Sequence, residues 1–482
     1  MDVPPDTTQP GDAAVPSTTP DSGPPTELER LIGWFDRRLG IAAPMRVAMA
    51  KVFPDHWTFL LGEIALFCFV ILVATGTFLT FFYTPDARTV TYTGPYSTLD
   101  GTSISAAYDS VLRLSFEVRA GLLMRQVHHW TALLFLGAIA VHLTRVFLTG
   151  AYRRPRELNW IIGVGLLLLA LGEGVTGYSL PDDLLSGTGL RIIYSAVLSI
   201  PFIGPWTASL LFGGSFPATD TLSRLFVLHV MLFPALLAGG VGSHLAVVWL
   251  QKHTQYRGRR AREDNVVGLH FWPGQSFRSI GLFIMIASVV VLVGGLVQIN
   301  PVWLYGPYVP YVTTVPAQPD WYAGWLEGAL RMGLPIEPTI LGVTIPAPFV
   351  PGVLIPGVLT GLLMLWPFLE SRVTHDRGEH HLLDLPWETP VRTATGMAAI
   401  ALFLVLTLAG GNDVIASTLH VPIESLTDVF RILTFVGPVV VWLVTYVIVR
   451  QLRARGSVPG AHHPGGYRVE RSADGGFVEV EG

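Results

Sequence analysis

Residues 121–149 read GLLMRQVHHWTALLFLGAIAVHLTRVFLT. A helix needs roughly 20 apolar residues to cross a hydrocarbon core of about 30 Å, and this run exceeds that length. Ionisable and metal-binding side chains are costly inside such a run and mark functional sites. His128 and His142 both lie within it, 14 residues apart. At 100° and 1.5 Å per residue, the second imidazole returns to within about 40° of the first and sits roughly 21 Å along the axis. A second apolar run, 222–250, carries His229 and His244 at a spacing of 15. That spacing turns the helix by about 60°, a difference that tilt or a local bulge absorbs. Both runs descend from the same side, so His128 faces His229 at one depth and His142 faces His244 at another.

Working outward, apolar spans fall at about 59–83, 122–149, 160–179, 222–250, 277–299, 347–369, 392–410 and 429–450. The expected fold is an all-α membrane protein of about eight transmembrane helices, with a four-helix haem-binding bundle in the N-terminal half. The composition agrees: of 482 residues, 50% are apolar and 14% charged, against about 25% charged in soluble proteins. Lys and Arg concentrate before the first span (Arg30, Arg37, Arg38, Arg46, Lys51), after the second (Arg153, Arg154, Arg156) and after the fourth (Lys252, Arg257, Arg259, Arg260, Arg262). By the positive-inside rule these segments and both termini are cytoplasmic. The chain divides into a disordered tail (1–26), a cytoplasmic surface helix (27–52), an N-terminal di-haem domain (53–270), a C-terminal domain (271–455) and a second disordered tail (456–482). Two long loops on the opposite, positive side, 180–221 and 300–346, have the length of functional or partner-binding segments. No internal repeat is visible, and nothing points to nucleic acid. The single cysteine, Cys68, excludes an internal disulfide, a cysteine-ligated zinc and an iron–sulfur cluster, and the lack of CxxCH excludes covalent haem.

Two axial imidazoles saturate a haem iron, which suits electron transfer rather than oxygen chemistry. The four histidines therefore read as ligands of two b-type haems, with the adjacent His129 outside the ligand set. Gly62 and Gly76 on the first span, and Gly163 and Gly177 on the third, repeat the 14-residue step. Glycine lets a bulky group approach the backbone, here a porphyrin edge at each depth; small-residue helix packing is the alternative. Arg125, Arg145 and Arg224 lie about one turn outward from His128, His142 and His229. They are candidate partners for haem propionates, with interfacial snorkelling as the alternative.

Arg125-x-x-His128, His142-x-x-Arg145, Gly177-Tyr178-x-Leu180-Pro181, Arg224-x4-His229 and Pro319-Asp320-Trp321-Tyr322, taken in order, resemble the cytochrome b subunit of quinol:cytochrome c reductases, the cytochrome bc complexes. The resemblance covers about residues 30–450. It is nearest the actinobacterial type, through His128-His129, Arg153-Arg154-Pro155-Arg156-Glu157 and an Asp where the usual Pro-Glu-Trp-Tyr motif has Glu. The resemblance implies menaquinol as reductant, with a low-potential haem on His128 and His229 and a high-potential haem on His142 and His244. It further implies a Rieske iron–sulfur subunit, a cytochrome c subunit, a terminal cytochrome c oxidase in a supercomplex, a homodimeric complex and contact with membrane lipid. Under it, Asp320 accepts a quinol proton, as a carboxylate in an apolar pocket can; Tyr322 shapes the site and Glu327 relays the proton. Trp249 and Ser279 stand where many relatives have His and Asp at the cytoplasmic quinone site, leaving Lys252 and His253 as replacements. The competing readings are a b-type anchor of another quinone-linked oxidoreductase and a haem-free proton-coupled transporter.

Overall fold

The computed structural model describes residues 26–258, 260–312, 318–455, 467–471 and 477–481. The expected N-terminal tail lies outside them up to residue 25, as does Arg259. Among the described residues, eight helices are long and apolar enough to cross a membrane: Trp57–Thr80, Gly121–Leu148, Glu157–Tyr178, Thr221–Leu250, Phe271–Leu296, Val350–Thr374, Pro390–Gly410 and Ile423–Ala454. We number them as the first to eighth spans. Only 6–33% of each apolar window is buried in the protein. On the eighth span Val440, Leu443, Val444 and Val447 are each about half exposed, which is the surface a hydrocarbon solvent favours and water does not.

The first four spans form a bundle in which the first packs on the second and the third on the fourth. Its core includes Cys68 and Ile71 of the first span, Val127, Phe135 and Leu136 of the second, Ala170 of the third and Leu237 of the fourth. Ile286 and Val290 of the fifth span and Tyr322 of a loop helix close the same cluster. The sixth span packs on the third, where the Trp160 indole donates to the Leu363 carbonyl at 2.7 Å. The seventh and eighth spans pack together and carry the loop helix Trp321–Met332.

Loops segregate by face, as alternating crossings require. On one face Val52–Pro54 pairs antiparallel with Gly268–His270, and Gln255–Tyr256 pairs parallel with Leu382–Leu383. On the other, Thr89–Thr91 pairs with Ser103–Ser105, and Asp183 bridges to Pro307. The long loop before the fourth span folds into two helices, Leu184–Leu198 and Gly204–Phe212.

Two boundaries differ from the sequence reading. The expected surface helix over 27–52 is two helices, Glu27–Leu39 and Ala42–Met49, interrupted at Gly40, whose φ of +61° an L side chain resists. Within 456–482, expected to be disordered, Tyr467–Arg471 and Phe477–Glu481 form an antiparallel ribbon. Tyr467 and Val469, and Val478 and Val480, alternate along the two strands, residue types that favour extended chain.

Candidate functional site

The two histidine pairs meet as their depths predict. The His128 and His229 ring centres lie 6.2 Å apart and the ring planes cross at 78°; His142 and His244 lie 6.4 Å apart and cross at 76°. A metal–imidazole bond of about 2 Å on each face of an iron, with roughly 1 Å more from each nitrogen to its ring centre, separates facing rings by roughly 6 Å. The spacing of 15 on the fourth span is absorbed at its first ligand, since Leu228–Leu232 forms a π-turn around His229. A π-turn takes up one extra residue, so the longer interval still presents both imidazoles to one face. Among the described residues no three His, Cys, Asp or Glu side chains cluster as a metal site, and the pairs stand as pairs.

Neighbouring groups fix which nitrogen faces inward. The Thr75 hydroxyl donates to the Ile71 carbonyl at 2.7 Å, so its oxygen is free to accept from His128 Nδ1 at 2.9 Å. His229 Nδ1 donates to the Glu173 carbonyl at 3.1 Å and lies 3.2 Å from that residue's carboxylate. A hydrogen bond on one ring nitrogen leaves the other as the metal-binding lone pair. Each glycine of the 14-residue pairs faces one of these rings. A Cβ on Gly62 would meet His142 at 3.2 Å, one on Gly76 would meet His128 at 3.2 Å, one on Gly163 would meet His244 at 3.4 Å, and one on Gly177 would clash with His229. The glycines thus let the backbones of the first and third spans come close to the ligand imidazoles at both depths.

A cavity of about 450 Å³ opens on the upper pair, within the 300–1,000 Å³ typical of small-molecule sites. Its lining joins His128, His229, Gly76 and Gly177 to Arg125, His129, Asp320 and Tyr322. Asp320 precedes the loop helix but does not cap it. Its carboxylate instead accepts from His129 Nε2, with its two oxygens 3.0 and 2.9 Å away. Burial, and then the Asp320 charge beside it, hold the Tyr322 hydroxyl well above the usual tyrosine range, so it stays neutral. An acid, an imidazole and a phenol therefore line the same cavity as two facing ligand imidazoles.

Comparison with known proteins gives these features a context. A family model described as "Cytochrome b(N-terminal)/b6/petB" matches residues 133–307. The cytochrome bc1 complex cytochrome b subunit of Mycobacterium tuberculosis is 49% identical over 413 residues, covering 86% of this chain and 75% of its own. That of Streptomyces coelicolor is 44% identical over 453 residues, covering 94% and 83%. The chain belongs to the family of cytochrome b subunits of cytochrome bc1 complexes. It is accordingly a multi-pass membrane subunit of a respiratory quinol–cytochrome c reductase and carries b haem. A solved structure titled "Hyperthermophilic respiratory Complex III" shares the fold, with a TM-score of 0.64, 21% identity, and coverage of 86% of this chain and 99% of that one.

The chain's own residues fit the haem group of this cytochrome b family. Among the described residues, buried nitrogens on Arg125 (Nε, Nη2) and Arg145 (Nε, Nη2) have no hydrogen-bond partner. Buried guanidinium groups need anionic acceptors, and haem propionates are such acceptors. Arg224 does not join them, contrary to its placement one turn from His229. Its guanidinium donates to the Leu210 carbonyl at 2.5 Å, capping the C-terminal end of Gly204–Phe212. Glu327 is likewise drawn elsewhere. Arg331 Nε donates to it at 3.0 Å, one helical turn on, and it is absent from the cavity lining. Burial raises its carboxyl above the usual range while Arg331 opposes the shift.

At the other end of the bundle, Lys252 is exposed and donates to the Asp264 carbonyl at 2.9 Å. His253 stacks on Phe53 with ring centres 4.4 Å apart, and its buried Nε2 has no partner. Burial, then Lys51 and Arg156, push its pKa down to about 4, so it is a neutral imidazole. Three residues at these sites escaped the sequence reading. His129 was set aside from the ligands without a partner being assigned; Glu173 and Glu63 are carboxylates inside apolar spans, a signal that alone marks candidates.

Proposed function

We propose that this subunit holds two b haems, on His128 with His229 and on His142 with His244, and that it oxidises menaquinol in the cavity lined by Asp320, Tyr322 and His129. The observation that carries this reading is that the Asp320–His129 pair shares one cavity with the His128–His229 imidazoles. The haems, when bound, relay single electrons between two quinone sites. Asp320 accepts a proton from a quinol hydroxyl, and His129, already hydrogen-bonded to that carboxylate, orients it. Haems held by His128 with His229 and by His142 with His244 would supply a path across the bundle for one of the two quinol electrons, toward a quinone near the opposite face, the other electron going to a Rieske iron–sulfur subunit. A general base of this kind contributes roughly 10²–10⁴ in rate.

Arg125 and Arg145 balance propionate charge at the two depths. The basic segments place both termini in the cytoplasm, so that protons are released on the Asp320 side and taken up on the other. Residues 53–270 form the di-haem unit, and 271–455 supply the Asp320 helix. The partners proposed are the Rieske and cytochrome c subunits, a second copy of the complex and a terminal cytochrome c oxidase. Purified complex should show two b haems per chain in a reduced-minus-oxidised spectrum, with menaquinone extracted from it. One haem or none per chain would sink the assignment.

A further inference from the structure

Glu63 is the only charged side chain in the first span, Trp57–Thr80. It neighbours Gly62, whose Cβ position is 3.2 Å from the His142 ring, and so it lies at the depth of the second imidazole pair. Its partners come from the fifth span, more than 200 residues away in sequence. Gln275 Nε2 donates to Glu63 Oε1 at 2.7 Å, and the Ser279 hydroxyl donates to Oε2 at 2.7 Å. Gln275 is 6% exposed and also reaches the Ser279 oxygen at 3.3 Å. Among the described residues no cation is hydrogen-bonded to this carboxylate. A carboxylate kept inside a span on two neutral donors gains little for the fold and marks a proton-handling position.

An aromatic cluster packs at the same end of the bundle. Phe271, one turn before Gln275, meets Phe53 at 5.6 Å and Trp249 at 6.0 Å between ring centres, and Phe53 meets His253 at 4.4 Å. Trp249 lies five residues beyond His244, and Lys51 sits over its ring at 4.4 Å. Aromatic rings, a carboxylate–amide–hydroxyl group and the His142–His244 pair lie at one end of the bundle.

We propose that Glu63 is the acid that protonates the quinone at this end, with Gln275 and Ser279 as positioning residues. This rests on the reading of a second quinone site beside His142 and His244. When a quinone takes up two electrons in succession from that side, the Glu63 O–H bond breaks and one carbonyl oxygen gains the proton. The second oxygen is protonated from the cytoplasmic water, which also reprotonates Glu63.

The experiment uses the whole complex carrying Glu63→Gln, Glu63→Asp and the double change Glu63→Gln with Ser279→Asp. Because Ser279 Oγ lies 2.7 Å from Glu63 Oε2, an aspartate at 279 places a carboxylate in the same space. With both haem bands intact, Glu63→Gln should slow quinone-dependent reoxidation of the haem at His142 and His244 at least tenfold and leave haem reduction by quinol unchanged in a single turnover. The redox infrared difference spectrum should lose a protonated-carboxyl band in this variant. Glu63→Asp should keep that band at a shifted position, and the double variant should recover both the band and the rate. Parental reoxidation and an unchanged band in Glu63→Gln would overturn the role of Glu63 alone. Lack of quinone-dependent reoxidation in the parental complex would overturn the second quinone site with it. If Glu63→Gln does not assemble, the double variant decides: slow reoxidation without a carboxyl band counts against the proposal, and parental behaviour supports it.

Discussion

The two ends of the haem bundle hold the same pair of ligands in different surroundings. At the His128–His229 end the outward Nδ1 atoms are held by the Thr75 hydroxyl and the Glu173 carbonyl. At the His142–His244 end the Asn159 backbone holds His244, and His142 Nδ1 has no hydrogen-bond partner among the described residues. The first end opens on a cavity with an Asp–His pair, and the second on a carboxylate held by an amide and a hydroxyl, beside aromatic rings. Helix period supplies the ligands, whereas the loops and the fifth span supply the chemistry. Ligand hydrogen bonding raises imidazole basicity and fixes its tautomer, and His142 is the ligand for which no such partner is seen among the described residues.

The largest effect should come from removing a ligand. His229→Leu leaves His128 without a facing imidazole, and the complex should lose one of its two b haems and essentially all quinol–cytochrome c turnover. Haem counting by pyridine haemochrome checks this, and two haems at parental turnover would break the pairing. Next is Asp320→Asn, which keeps shape and removes the base. Quinol oxidation should fall roughly 10²-fold while both haem spectra persist. Glu327→Gln sharpens that contrast. Its carboxylate is held by Arg331 at one helical turn, a pair that contributes about 1 kcal/mol when partly exposed. Turnover within about twofold of parental is expected, with a slightly lower melting temperature. A loss as large as that of Asp320→Asn would restore Glu327 as a relay.

The sequence carried the helices and the ligands because both depend on period and length. An apolar run and a 14-residue spacing report on one helix at a time, and depth follows from counting. The π-turn at Leu228–Leu232 was legible only as the odd spacing of 15 that demands it. Arg224 and Glu327 were misplaced because a nearer acceptor or cation competes for each. The i,i+4 spacing of Glu327 and Arg331 announces such a pair, but the carbonyls that hold Arg224 belong to a helix about 15 residues away. The Glu63–Gln275–Ser279 contact joins segments more than 200 residues apart, and no local pattern encodes it. His129 was passed over because one helix presents adjacent residues about 100° apart. A second histidine beside a ligand cannot share its iron, and its use was visible only once the Asp320 loop was placed.

The smallest effects should separate the two ends through their glycines. A methyl added at Gly177 runs into the His229 ring, whereas one at Gly163 meets His244 Cε1 at 3.4 Å, close to ordinary contact. Overpacking a tight site costs about 1–3 kcal/mol, so Gly177→Ala should displace His229 and shift the spectrum or potential of the haem at that end. Gly163→Ala should leave the other haem nearly unchanged. Gly76→Ala and Gly62→Ala, each meeting a ring at 3.2 Å, should fall between. Potentiometric titration of the four variants gives the order directly. If Gly163→Ala proves as disruptive as Gly177→Ala, a bound porphyrin rather than the ligand ring sets the clearance at Gly163.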